Sequence, residues 1–421
     1  MLNLIGVIIA FILILILIRK KINFALSLTI GALIIGLFSL ETITPLDIPK
    51  AFIEASIYTF NTQQIHTDIL ELAILMTLIL MLAKCMQETK AITHLIDSLR
   101  TFFSKGGTIA VIPAVYGLMP IPGGALFSAP LIDQEGTTHG LTNDQKNVLN
   151  VWFRHMWFPI FPLSQTMILI ASFGGIPIGT LILADIPVFI AYALIGYLYM
   201  RHYMKPTQQP PKTTTKDYSG LKYLIPPLIP LPFYALTLLG IPEITETRAF
   251  IIGVIIGIIS LFLLLKIDWK TTTHILRKSL SWNLALAIFA IMIFRQMIQL
   301  SGVDTLIAAG MKTYAFPALA IILLFPLIIG ILIGSDFASV ALSFPIVAPF
   351  IAATGISTLG CTALIFMAIN MAYLISPIHL CNVLSSDYLH TDVTRMYKMY
   401  IPTTITVLLI HLTAILLLFH T

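Results

Sequence analysis

Long apolar runs separated by short polar stretches make up almost the whole chain. A helix rises about 1.5 Å per residue and needs about 20 residues to cross a bilayer core, so the run lengths predict ten spans. These spans are Leu2–Ile18, Phe24–Leu40, Asp68–Met86, Asn147–Gly174, Ile178–Met200, Leu221–Leu239, Ala249–Leu265, Asn283–Leu300, Cys361–Ser385 and Pro402–Phe419. Shorter mixed runs predict amphipathic helices at the membrane surface, at Ile48–Tyr58, Lys90–Lys105, Trp269–Trp282 and Val303–Tyr314.

The stretch Thr108–Asp133 is apolar but cannot form one continuous helix. Pro120 and Pro122 remove backbone donors, and Gly123 and Gly124 add backbone freedom. Each arm beside this break reaches roughly 15 Å, which is half of a bilayer core. Backbone exposed at that depth is tolerated only where protein buries it or a watery cavity receives it. We therefore predict a re-entrant hairpin whose tip lies on a solute pathway.

The same order of features occurs twice along the chain. A second broken unit is interrupted at residues 334–336, so Gly123 and Gly334 lie 211 positions apart, and Pro162 and Pro377 lie 215 apart. This spacing indicates an internal repeat. The predicted organisation is a first repeat over 1–200, a linker over 201–222, and a second repeat over 221–421. We place the hairpins at about 107–134 and 315–349, the broken helices at about 147–174 and 361–385, and a polar loop at 134–146.

Composition and charge place the chain in a membrane and orient it. The chain is 58% hydrophobic and only 10% charged, which excludes a soluble protein of 421 residues. With the N-terminus outside and both hairpins returning to their own side, the inside loops hold most of the 24 Lys and Arg. Only Lys50, Arg248 and Lys312 then lie outside, with Arg154 and Arg295 inside spans, as the positive-inside rule requires.

Each repeat has five spans. Because five is an odd number, the second repeat must run inverted in the membrane relative to the first. The predicted fold is therefore an all-α polytopic membrane protein with two inverted-topology repeats of five spans, each containing a re-entrant hairpin and a broken helix. This architecture is typical of secondary transporters. We predict a multi-pass protein of the cell (inner or plasma) membrane with both termini outside. The pI near 9.0 reflects the basic loops, so no nucleic-acid partner is expected, while a homodimer stays open.

Three segments, GLMPIPGGALFSAPLID, NVWFRHMWFPIFP and SPIHLC, together resemble an integral-membrane family, domain of unknown function 401, across most of the chain. The resemblance implies membership of the ion transporter superfamily, in which relatives move dicarboxylates, gluconate, lactate or arsenite, or exchange sodium for protons. The sodium–dicarboxylate branch carries Ser-Asn-Thr triplets at its hairpin tips. This chain has Pro-Gly-Gly at 122–124 and Gly-Ser-Asp at 334–336, so that branch's mechanism does not carry over.

Asp336 is the sharpest candidate for a coupling role. It lies at the break of the second hairpin, and no other charged residue occurs from Ala318 to Ala353. A carboxylate at that depth costs at least about 2.5–3.5 kcal/mol and is by default a functional candidate. It could carry a proton or ligate Na⁺ beside freed backbone carbonyls. The structural alternative is a helix cap.

The candidate solute-binding residues are grouped at the breaks. Arg154 and His155 lie in the first broken helix, where an arginine offers a fork for a carboxylate, although it could instead extend to the headgroups. His379 follows the break of the second broken helix, opposite Ser164 in the repeat. The full predicted set is Pro122, Gly123, Gly124, Ser128, Arg154, His155, Ser164, Ser335, Ser339, Ser376, His379 and Asn382.

These features favour a secondary carrier for a small carboxylate-type anion, coupled to H⁺ or Na⁺. The alternative is a monovalent cation/proton antiporter without an organic substrate. The chain lacks the HExxH and GxSxG patterns of membrane proteases, so no enzyme activity is expected. We predict no cofactor other than the coupling ion. Three cysteines in apolar segments, Cys85, Cys361 and Cys381, are interpreted as small core residues, so no metal site is predicted.

Overall fold

The protein is built almost entirely of helices. The computed structural model describes residues 2–60, 62–103, 106–119, 123–206, 217–238, 244–303, 305–307, 310 and 317–420. Helices account for 79% of the structure, and its one small sheet is an antiparallel pair of two-residue strands, β1 (Tyr58–Thr59) and β2 (Gln64–Ile65). The all-α prediction is confirmed.

Ten helices cover the described residues of the first half. They are α1 (Leu2–Arg19), α2 (Phe24–Phe38), α3 (Asp47–Glu54), α4 (Asp68–Glu88), α5 (Ala91–Phe102), α6 (Gly107–Gly117), α7 (Ala125–Thr138), α8 (Asn143–His155), α9 (Gln165–Gly174) and α10 (Ile178–Tyr203).

The second half begins with a 3₁₀ turn at Ser219–Leu224, and a second 3₁₀ turn at Ala348–Ala353 follows α17. The described helices are α11 (Ile225–Leu228), α12 (Pro230–Thr237), α13 (Glu246–Leu265), α14 (Trp269–Ser279), α15 (Trp282–Ser301), α16 (Ala318–Ile333), α17 (Asp336–Val347), α18 (Thr358–Leu374), α19 (Leu380–Leu389) and α20 (Val393–Leu418).

Within the part of the chain that the structure describes, seven apolar segments are long enough to cross a membrane, so this is a multi-pass membrane protein. Six of them overlap spans predicted from the sequence. The seventh is Asp336–Ala353, which we predicted to be the second arm of a hairpin. Shorter apolar helices, α2, α6, α9, α16 and α18, accompany them, and most of these belong to the broken units.

The helix breaks fall where proline and glycine predicted them. Helix α6 ends just before the first tip, and α7 begins just after it. Pro120, Ile121 and Pro122 of this tip lie outside the described residues. Gly334, in the left-handed region at φ +64°, ends α16, and Ser335 caps α17 through its Oγ. The two broken helices are interrupted between α8 and α9 and between α18 and α19.

Three predicted boundaries were wrong. The loop at 134–146 is mostly helical, because α7 continues to Thr138 and a capping box of Thr142 and Gln145 starts α8. The span at 221–239 is divided into short segments, since its prolines remove the backbone donors that a continuous helix needs. The last helix begins near Asp392, which caps it, and includes Pro402 in its interior.

Helices of the two halves pack in matching pairs. Helix α6 packs on α7 and α8, and α16 packs in the same way on α17 and α18. Across the halves, α7 packs on α19, and α17 packs on α9. This reciprocal arrangement is what an internal repeat predicts. It brings the broken unit of each half against the broken helix of the other.

One glycine sets the distance between α6 and α8. At Gly117, near the end of α6, an added Cβ would overlap the backbone carbonyl oxygen of Arg154 in α8. Backbone cannot move aside as a flexible side chain can. The close approach of α6 to α8 therefore requires glycine at this position.

We expect Gly117→Ala to destabilise the protein by about 1–3 kcal/mol, because α6 must move away from α8. Thermal unfolding of the purified protein measures the change. Gly107→Ala, at the start of the same helix, is the matched control, since its Cβ would lie 3.7 Å from the nearest atom, Phe103 Cβ. Equal melting temperatures for the two variants would show that the contact is not tight.

Candidate functional site

The two tips make equivalent contacts with the broken helices. Gly124 lies against the Arg154 side chain at the end of α8, while Gly123, at φ +68°, lies against Leu380 in α19. At the second tip, Gly334 lies against Ser376 at the break after α18, while Asp336 contacts Thr166 in α9. Each tip thus contacts the end of one arm from its own half and the start of another arm from the opposite half.

Arg154 lies inside the protein and is only 3% exposed. Its Nη2 donates to the carbonyl oxygen of Met119 at 3.5 Å, beside the first tip. A Cβ at residue 124 would overlap the guanidinium group, so glycine leaves the space that this side chain fills. A buried guanidinium supplies fixed donors for a planar carboxylate.

Two histidines from different broken helices meet beside Arg154. The rings of His155 and His379 are 4.9 Å apart and nearly perpendicular. Tyr373 packs on His379 with 3.8 Å between ring centroids and contacts His155 at 5.4 Å. The same tyrosine lies within electrostatic range of both Asp336 and Arg154. The structure therefore gathers the predicted residues of both halves around one aromatic ring.

The break between α18 and α19 is held by side chains that we predicted to bind solute. Asn382 Nδ2 donates to the carbonyl oxygen of Leu374 at 2.6 Å, across the break. Ser376 Oγ donates to the carbonyl oxygen of Ile331 at 2.7 Å, which joins the break to α16. Both groups satisfy backbone acceptors that the interrupted helices leave open.

Asp336 accepts a hydrogen bond from Thr166 Oγ1 at 2.6 Å. The alternative prediction was that Asp336 caps the helix. The cap is instead Ser335, whose Oγ accepts from the amide of Ala338 at 3.4 Å. Asp336 is the first residue of α17, where the helix dipole favours a negative charge. Ser339 Oγ donates to the carbonyl oxygen of Ser335 at 2.6 Å and so bonds within its own helix.

Two further predicted residues have structural partners. Ser128 Oγ donates to Asn150 Oδ1 at 2.6 Å, and Asn150 Nδ2 donates to Ser385 Oγ at 2.8 Å, which joins α7, α8 and α19. Ser164 caps α9 by accepting from the amide of Met167 at 3.5 Å. His379 occupies the equivalent position before α19, as the repeat predicted.

Sequence reasoning missed a buried ionisable pair away from the tips. Asp185 Oδ1 in α10 and His411 Nε2 in α20 are 3.5 Å apart, and both side chains are fully buried. Each residue interrupts an apolar helix, and an ionisable residue inside a span was a signal available from the sequence. Thr166 and Tyr373 gave no such signal, because their roles depend on partners from distant segments.

A narrow crevice beside the two histidines leaves no room for a water molecule. Typical pockets for organic ligands enclose roughly 300–1,000 Å³. An organic anion could enter only if the surrounding arms separated. The lining residues are His155, Phe158, Pro159, Tyr192, Asn370, Met371, Tyr373 and Leu374.

We expect Asp185→Leu and His411→Phe each to destabilise the protein by about 3 kcal/mol, because either change leaves one buried polar group without its partner. The double variant should lose less stability than the sum of the single variants. Thermal unfolding of all four proteins gives the coupling. Additive losses would show that the two side chains do not interact.

Comparison with known proteins identifies the family. The model of the family described as "Protein of unknown function (DUF401)" matches residues 2–418, nearly the whole chain. A search of curated proteins finds no match. The resemblance of the PIPGG and SPIHL segments is thereby confirmed, and the chain belongs to the DUF401 family.

Proposed function

We propose that this protein is a secondary carrier of a small organic anion, coupled to H⁺ or Na⁺. The main support is the meeting of Arg154, His155, His379 and Asp336 where interrupted helices of both halves come together. Binding sites of secondary transporters typically lie at such breaks, between the repeats. The proposal places the protein in the cell membrane with both termini outside.

Arg154 is the proposed anion-binding group. It lies beside the glycines of the first tip and is only 3% exposed. A guanidinium group offers a planar carboxylate two parallel charge-assisted hydrogen bonds. The small crevice beside His155 supports a cycle in which the arms separate to admit the anion.

Asp336 is the proposed coupling group. Its carboxylate faces Thr166 in the opposite half, so binding of a proton or Na⁺ would change a contact between the halves. The charged second tip and the uncharged first tip then have different roles. Coupling follows if occupation of the second tip alters the packing around Tyr373, which lies near both Asp336 and Arg154.

A cation/proton antiporter is the second candidate, and the Asp185–His411 pair favours it. Exchangers of this kind usually have more than one carboxylate inside the protein, and the buried Asp185 adds a second to the half-buried Asp336. Such a protein would need no organic substrate. The buried Arg154 has no evident role in that alternative, which is why we prefer the carrier.

The decisive test uses liposomes that contain a pH-sensitive dye. Wild-type protein and Asp336→Asn are supplied with labelled organic anions, with and without a Na⁺ gradient, while uptake and internal pH are recorded. We expect ion-driven uptake in the wild type and its loss in the variant, with anion binding retained. Asp268→Asn is the matched control, because Asp268 is an exposed cap that asparagine can replace.

Proton release triggered by Na⁺ or K⁺ alone, without anion uptake, would overturn the carrier and establish the antiporter. The variant Arg154→Gln further distinguishes the carrier from the antiporter. It should abolish anion binding in a carrier and leave cation exchange intact in an antiporter. Arg277→Gln serves as its control, because Arg277 is exposed in α14.

Thr166→Val should weaken coupling, because it removes the hydroxyl that donates to Asp336 while keeping the side-chain shape. We expect a lower ratio of coupling ions to transported anion in the liposome assay. Thr166→Ser keeps the hydroxyl and should behave as the wild type. If valine and serine variants gave the same ratio, this hydrogen bond would have no part in coupling.

A further inference from the structure

We propose that His155, His379 and Cys381 form a binding site for a thiophilic transition-metal cation such as Zn²⁺. One ligand atom from each side chain lies within 4.8 Å of the other two, and all three residues are buried. Among the residues that the structure describes, no other three His, Cys, Asp or Glu side chains come together in this way. Two imidazoles and a thiolate are ligands that Zn²⁺ and related ions prefer.

The orientation of His155 suits a metal ligand. Its Nδ1 lies 2.7 Å from the carbonyl oxygen of Val151, which can only accept, so Nδ1 carries the proton. The neutral ring then presents its Nε2 lone pair to the cluster. Histidine ligands in metal sites typically donate their other N–H to such a carbonyl or to a carboxylate.

His379 provides the second, independent observation. The side chain is fully buried, and neither ring nitrogen makes a hydrogen bond to a described residue. Buried polar groups are nearly always paired. A metal ion in the cluster would give this imidazole the partner that it lacks.

Cys381 differs from the other two cysteines of the chain. All three are buried, but Cys381 is the second residue of α19 and follows His379 by two positions. Cys85 lies near the end of α4, and Cys361, which is in α18, lies 3.2 Å from Thr354 Oγ1. The sequence interpretation of Cys381 as an ordinary core residue is therefore revised in this proposal.

The geometry leaves one coordination position open. Ligands of a tetrahedral Zn²⁺ lie roughly 3.5 Å apart, so the cluster must contract by about 1 Å at its widest. Arg154 opposes a cation here, although the Cys381 thiolate offsets one positive charge. An open fourth position is typical of sites where a metal binds a solute or water. Loss of the thiol proton accompanies binding, so each metal ion should release one proton to solvent.

Titration with Co²⁺ tests the site in the detergent-purified full chain. Four-coordinate Co²⁺ absorbs in the visible range, and a thiolate ligand adds a charge-transfer band in the near ultraviolet. We expect saturable binding of one Co²⁺ per chain, with this band, release of one proton, and displacement by Zn²⁺. Arg154→Gln should bind Co²⁺ severalfold more tightly, because the opposing charge is gone.

Cysteine variants decide the outcome. Cys381→Ser should lose the charge-transfer band and bind at least tenfold more weakly, as should His379→Gln, while Cys85→Ser and Cys361→Ser keep the wild-type spectrum. Gel filtration and helical circular dichroism confirm that each variant is folded. Absence of saturable binding to the wild type, or a band that survives in folded Cys381→Ser, would overturn the proposal. Neither result depends on transport, so the proposed carrier function stands or falls separately.

Discussion

Every interruption of a helix inside a membrane leaves backbone donors and acceptors that water cannot reach, and this constraint organises the structure. The protein satisfies them with polar side chains at the breaks. Ser335 and Ser164 cap the helices that restart after a break, and Asn382 bonds the Leu374 carbonyl across one. Ser376 bonds the Ile331 carbonyl of a packed neighbouring helix, so two breaks lie together and a polar centre forms where they meet.

The polar centre concentrates groups that are expensive to bury elsewhere. Tyr373 lies among them. Its ring contacts both histidines, and it is within electrostatic range of Arg154 and Asp336. Ionisable groups gathered inside a membrane protein typically mark the path of an ion or a solute. The Asp185–His411 pair is different, since its two members face each other between α10 and α20 and can compensate locally.

The sequence predicted the breaks well and the partnerships poorly, for a physical reason. Proline and glycine act on the backbone at their own position, so the interruptions near Gly123, Gly334 and Pro377 could be located from residue type alone. The bond from Thr166 to Asp336 joins residues 170 positions apart and leaves no local trace. The proposed role of Cys381 likewise depends on two histidines, of which His155 comes from a distant part of the chain.

Tight packing at the crevice beside His155 bears on the energetic efficiency of the proposed carrier. Ion gradients are costly to maintain, and a carrier wastes them whenever ions slip through without their cargo. Aromatic rings and apolar side chains close around the histidines and leave no room for a water molecule in the crevice. In the proposed carrier, leakage through this centre would be restricted to moments when the helices move apart.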